Sequence, residues 1–120
     1  PSYMAGENLE FSVKPYCDCY LKVFIFENAE LGYRLYPNEK EAPMLLEKSK
    51  TYQFPDTKKG TYDLYTDKDL ETDRLVFVFT KDERPYYNEV TSRAEIEQWM
   101  ARIPNDQKYI HYTSINIVKK

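Results

Sequence analysis

Tyr20-Leu21-Lys22-Val23-Phe24-Ile25-Phe26 is the stretch that decides the fold. It is short and full of β-branched and aromatic residues, and it is apolar at both odd and even positions except Lys22. Successive side chains of a strand point to opposite faces, so a run apolar in both phases reads as a central strand covered from both sides. Upstream, Leu9, Phe11 and Val13 alternate with Glu10, Ser12 and Lys14, the pattern of a strand with one wet face, and Pro15 ends it. Downstream, Asn28 and Glu30-Leu31-Gly32 supply a turn, after which residues 33–36 return as a hairpin partner stopped by Pro37-Asn38.

Farther along, residues 39–50 mix charge with Met44, Leu45 and Leu46 and read as a connecting excursion. Residues 50–54, 61–66 and 74–80 are three further strand candidates, divided by the turn-rich 55–60 and the polar 67–73. Strands that follow strands without helices between them argue for an antiparallel sandwich or open barrel. One helix breaks the series. Ser92 followed by Glu95 is a capping-box pattern, Ile96, Trp99, Met100 and Ile103 form one apolar stripe, and Pro104 marks the stop. Trp99 is expected to pin that helix to the sheet. Residues 109–118 form the last strand, and its apolar phase changes from Ile110 and Tyr112 to Ile115 and Ile117, which predicts a bulge near Thr113 and Ser114.

The 120 residues suit one domain, with an expected radius of gyration of roughly 14 Å. Hydrophobic residues are 42% and charged residues 31%, with three glycines, which excludes a disordered tail or a collagen-like repeat. Lys plus Arg number 17 against 20 Asp plus Glu, a formal charge of −3, so the basic footprint of a nucleic-acid partner is lacking. No run approaches the roughly 18–20 apolar residues of a membrane-spanning helix, so direct membrane insertion is not expected. The first residue is Pro and no charged-then-apolar leader follows, so the chain is expected to be a mature or excised domain of a larger protein.

Chemistry-bearing patterns are sparse. Cys17-Asp18-Cys19 is the most metal-like tripeptide, but a structural zinc site needs four ligands and only His111 and acids remain to complete it, so no metal is expected. In an extended segment the two thiols would share a face with Cα atoms about 7 Å apart, too far for an unstrained mutual disulfide; one is expected to face the core. The single histidine, His111, lies in a strand, and Gly6, Gly32 and Gly60 are too scattered for a nucleophile elbow, a phosphate loop or a dinucleotide fingerprint. No cofactor and no catalytic residue are expected, and the chain is read as a non-enzyme. Paired acids are the sharpest alternative, because two carboxylates held in different protonation states can cleave a glycoside. The pairs Glu39 and Glu41, Asp67 and Asp69, Glu71 and Asp73, and Asp82 and Glu83 are all expected in polar turns, where water keeps both members ionised; Asp67, Asp69, Glu71 and Asp73 also lack the glycine and terminal glutamate of a calcium loop. Twelve tyrosines against one tryptophan suit either strand positions or a binding surface. Pro85-Tyr86-Tyr87-Asn88 lies outside a strand, so Tyr86 and Tyr87 are the candidate contact residues for a carbohydrate or peptide.

Residues 8–13, Cys19-Tyr20-Leu21-Lys22-Val23-Phe24-Ile25-Phe26, Leu35-Tyr36-Pro37-Asn38, Tyr52-Gln53-Phe54-Pro55 and Leu75-Val76-Phe77-Val78-Phe79-Thr80, taken together, resemble the bacterial domain-of-unknown-function 4384 family. The similarity spans roughly residues 6–80 and is carried most by Leu-Tyr-Pro-Asn following an aromatic strand. The resemblance implies an immunoglobulin-like β-sandwich of seven or eight strands, appended to other domains in secreted, lipoprotein or signalling proteins of bacteria. It implies a periplasmic or cell-envelope location and brings no catalytic residue with it. The expected function is therefore a non-catalytic interaction or structural module, partnered by other domains of its parent chain or by another protein. A small carbohydrate- or peptide-binding module and a loop-acid hydrolase are the alternatives.

Overall fold

A computed structural model describes residues 1–56 and 58–120. In chain order the described strands are β1 (Ser2–Met4), β2 (Asn8–Leu9), β3 (Phe11–Val13), β4 (Tyr20–Phe26), β5 (Leu31–Tyr36), β6 (Tyr52–Phe54), β7 (Tyr62–Asp63), β8 (Leu70–Thr80), β9 (Val90–Ser92) and β10 (Lys108–Val118), with helix α1 (Arg93–Ala101) and a 3-10 turn (Asn105–Gln107) between the last two strands. One six-stranded sheet runs β1-β10-β8-β4-β5-β9, and β2-β7 and β3-β6 form two small sheets. The radius of gyration is 14.3 Å.

The central strand behaves as its sequence dictates. Leu21 and Val23 are buried with Leu75, Phe77, Ile115 and Ile117 against the small sheets, while Phe24 and Phe26 are buried with Val76 and Val78 against Ile96, Met100 and Ile103 of the helical segment. Each face of β4 and β8 therefore has its own core. Lys22 is the polar exception on the helix side; it is buried, with Nζ 5.7 Å from the Trp99 ring centroid, and burial pushes its pKa down. Helix α1 starts where the capping pattern places it, with Glu95 N–H donating to Ser92 Oγ at 3.2 Å. The Glu95 carboxylate accepts from the Thr91 hydroxyl and so does not close the box. Gly32 lets the helix approach: a Cβ there would lie 2.7 Å from Ile96 Cδ1. Trp99 is half-buried, its ring 5.7 Å from that of Phe24 and its Nε1 donating to the Pro85 carbonyl at 3.2 Å.

Several expectations need correction. The structure is mainly β with one helix near the C-terminus, but the main sheet is mixed, because β1 runs parallel to β10, and ten strands are described where seven or eight were expected. The strand expected over residues 9–13 breaks at Glu10, since β2 pairs with β7 and β3 with β6. The polar stretch before Arg74 is not a divider: β8 already begins at Leu70. The expected divider over residues 55–60 contains Thr57, which lies outside the described residues. No bulge interrupts β10, whose register with β8 is continuous from Lys108↔Thr80 to Val118↔Leu70. The phase change has another cause. Ile110 packs under the helix and Ile115 and Ile117 under the small sheets, so the covered face switches along a regular strand. The observed irregularity lies in β5, where Val23 pairs with Tyr36 and Phe24 with Arg34, leaving Leu35 unmatched.

Candidate functional site

The main sheet leaves part of its β10 edge without a strand partner among the described residues. β1 pairs with β10 only from Asn116 to Val118. Asn116 N–H donates to the Pro1 carbonyl at 3.0 Å and the Val118 carbonyl accepts from Ala5 N–H at 2.8 Å, so the even-numbered peptide groups of β10 face away from β8. A strand's peptide groups alternate in direction, so those of Ile110, Tyr112 and Ser114 also face outward. Among the described residues no strand pairs with them. Between Lys108 and Lys119 the sequence carries no Asp, Glu, Lys or Arg and no proline, the residues that commonly guard a sheet edge. Beside this edge lies a mostly apolar cleft of about 370 Å³, lined by Phe77, Phe79, Tyr109, His111 and Thr113 of the main sheet and by Val13, Pro15 and Tyr16. His111 is thus exposed on the cleft wall, its ring 5.9 Å from that of Phe77.

The two tyrosines singled out from sequence are not exposed together. Tyr87 is 87% exposed. Tyr86 is half-buried, wedged edge-on against Phe24 at 5.3 Å and Trp99 at 5.5 Å, with its hydroxyl donating to Thr91 Oγ1 at 3.2 Å and its carbonyl accepting from the Arg34 guanidinium. Both border a shallow depression of about 280 Å³ with Lys22, Pro37 and Pro43. Cys19 is buried and Cys17 exposed, because the chain bends at residues 16–18 and is not extended there; both are free. Burial, with Cys17 and Asp18 adjacent, pushes the Cys19 thiol up to about 11.

The acids separate into two kinds. Glu39, Asp67, Asp69, Asp82 and Glu83 are on the surface. Glu41 is buried but fully occupied: Oε1 accepts from Tyr62 Oη at 2.6 Å and Asn38 Nδ2 at 3.0 Å, and Oε2 accepts from Asp56 N–H at 3.1 Å. Glu71 and Asp73 are not in a polar turn, and water does not surround them. They stand on β8 in the same phase as Leu75 and Phe77, opposite Ile117 and Ile115, and both are buried. Burial above all, then a hydrogen bond to Glu71 and the charges of Glu71 and Glu27, hold the Asp73 carboxyl well above the usual carboxylate range. They lie in a cleft of about 420 Å³ whose walls include Glu27, Tyr33 and Tyr65. Sequence reasoning missed this site. The signal was available, because Glu71, Asp73, Leu75, Phe77 and Phe79 are one period-two series in which two acids occupy core-facing positions.

The residues that carry the family resemblance are architectural. The Tyr36 ring packs on Phe54 with centroids 4.6 Å apart, and its hydroxyl donates to the Ala42 carbonyl at 3.3 Å. Asn38 Oδ1 accepts from the N–H groups of Lys40 and Glu41, and its Nδ2 donates to the Leu35 carbonyl at 3.0 Å, closing the loop that delivers Glu41 to Tyr62. Pro37 and Pro55 follow cis peptide bonds at the two ends of this arrangement. No curated protein and no solved structure matches the chain. A family model described as "Domain of unknown function (DUF4384)" matches residues 2–83, from β1 to just past β8 and short of Tyr86, α1 and β10. With more than half its length matched by that family model, this chain belongs to the DUF4384 family.

Proposed function

We propose that this domain is a non-catalytic interaction module of a larger bacterial protein of the cell envelope, and that it engages an extended segment of a protein partner by strand addition to the open edge of β10. The single observation that carries the reading is the row of outward peptide groups at Ile110, Tyr112 and Ser114, beside a ready apolar cleft. Strand addition draws affinity from main-chain hydrogen bonds and selectivity from pockets for alternate side chains. The domain already uses this edge once, where β1 adds in parallel at Asn116–Val118. The uncharged wall favours a partner segment with apolar or β-branched side chains at alternate positions. An immunoglobulin-like sandwich is the finer fold description belonging to this proposal; its support is that two small sheets cover one face of the main sheet. The envelope location rests on the family resemblance, and no helix among the described residues is long and apolar enough to cross a membrane.

A displayed library of random peptides tests the reading. Enriched peptides are expected to carry alternating apolar residues, to slow exchange of the Ile110, Tyr112 and Ser114 amides, and to lose at least about tenfold in affinity on Ser114→Pro. Proline there removes an outward donor that the fold does not use, so the melting temperature should stay within a few degrees. Peptides that bind Ser114→Pro as well as the parent, or that perturb Tyr86 and Tyr87 alone, overturn the edge and favour the exposed-tyrosine reading. Self-association that saturates the same amides replaces the partner with a second copy of the chain.

A further inference from the structure

Independently of the β10 edge, we propose that the cleft floored by Glu71 and Asp73 binds the cationic end of a basic side chain, an ammonium or guanidinium on an aliphatic stem. Two observations carry this. First, Glu27, Glu71, Asp73, Asp63 and Glu89 all line one cleft of about 420 Å³, within the ~300–1,000 Å³ range of small-ligand sites. The single basic residue on that wall, Arg34, has its guanidinium committed elsewhere, donating to the carbonyls of Pro37 and Tyr86. Second, Asp73 is only 4% exposed, yet its Oδ1 accepts no hydrogen bond from any described group. A buried carboxylate oxygen without a donor costs free energy that an incoming N–H would recover.

The chemistry of the occupant follows from the walls. Leu9, Ile25, Leu35 and Ile117 supply apolar surface for a methylene stem, and Tyr33 and Tyr65 also line the cleft. An organic cation fits better than a metal ion, because among the described residues no three acidic or other ligating side chains converge as a metal would require. Glu71 Oε1 already accepts from Thr66 Oγ1 at 3.2 Å, which fixes one carboxylate and leaves Asp73 the freer partner. The groups facing Asp73 are Glu71 on its own strand, Glu27 just after β4, the Tyr33 hydroxyl from β5, which is hydrogen-bonded to Glu27, and Lys68 from the loop before β8, so the local balance is negative. Since Asp73 holds its proton near neutrality, entry of the cation expels that proton to solvent, and binding tightens as pH rises.

Titration calorimetry with Nα-acetyl-arginine amide and Nα-acetyl-lysine amide tests the site, with the neutral isostere Nα-acetyl-citrulline amide and calcium chloride as comparators. At least one cationic amide is expected to bind at least tenfold more tightly than the citrulline amide. Its heat should depend on buffer ionisation enthalpy because a proton is released. Asp73→Asn should weaken it at least tenfold and abolish the proton release. Equal binding of the citrulline amide, an unchanged affinity in Asp73→Asn, or competition by calcium at comparable concentration would overturn the proposal. Should Asp73→Asn fail to fold, the carboxyl carbon resonance of Asp73 in the parent protein gives the same decision: it must move to the ionised position on adding the cationic amide, and a static resonance refutes the site. Failure here leaves the β10 edge untouched, since that edge is read from separate amides.

Discussion

Phe24→Ala is expected to lower the unfolding free energy by about 3–5 kcal/mol, the usual cost of emptying a fully buried aromatic position. Phe24 is completely buried on the helix side of the central strand, with the rings of Tyr86 and Trp99 set edge-on to it at 5.3 and 5.7 Å. Its removal takes away the surface on which the 85–87 segment and α1 both rest. A domain of this size is stable by only about 5–15 kcal/mol, so a large share of the total is at stake. Urea unfolding followed by tryptophan fluorescence reads the effect, and Trp99 should report a more solvated environment even before the transition. A change below about 1 kcal/mol would mean that the helix layer is not a core at all.

The second large effect is a pH dependence centred on Asp73. Its folded-state pKa is raised to about 8, first by burial and then by Glu71 and Glu27. The unfolded value is about 3.9. The native state thus binds this proton more tightly than the unfolded state, and the stabilisation is fully present below about pH 4 and lost as pH rises through the folded value. Asp73→Asn keeps the shape and the donor that the protonated acid presents to Glu71, but cannot ionise. The variant should therefore gain on the parent as pH increases. Between pH 5 and pH 8 the relative gain is expected to reach roughly 2–4 kcal/mol, since each unit of pKa shift is worth about 1.4 kcal/mol. Comparing the two proteins at each pH cancels the titration of acids remote from Asp73, so that the difference reports Asp73 together with its partner Glu71. Parallel stability curves would show that Asp73 is ionised in the folded protein.

How much of this was legible beforehand depends on what each residue answers to. The central strand, the hairpin return and the helix were readable because local pattern and tertiary environment agree there: Val23 and Phe24 face two cores, and Ser92 caps the helix that Ile96 and Met100 dock. β1 and β9 were missed, because three-residue strands carry too little pattern and exist through their partners, β10 and β5. The mistaken bulge in β10 came from assuming that the same face stays covered along a strand, whereas Ile110 and Ile115 answer to different layers. Glu71 and Asp73 were misplaced because acidic composition outweighed their period-two continuity with Leu75. The open edge could not be read at all, since which strand lies at the margin of a sheet is fixed by topology and not by any segment's own residues.

Native-state hydrogen exchange of the free protein tests the central claim most directly, residue by residue along β10. The amides of Ile110, Tyr112 and Ser114 should exchange close to the rate of solvated peptide groups. Those of His111, Thr113 and Ile115, turned toward β8, and that of Asn116, bonded to Pro1, should be protected by many orders of magnitude more. Uniform protection across residues 109–115 would mean that the edge is already covered, and strand addition there would have to be abandoned.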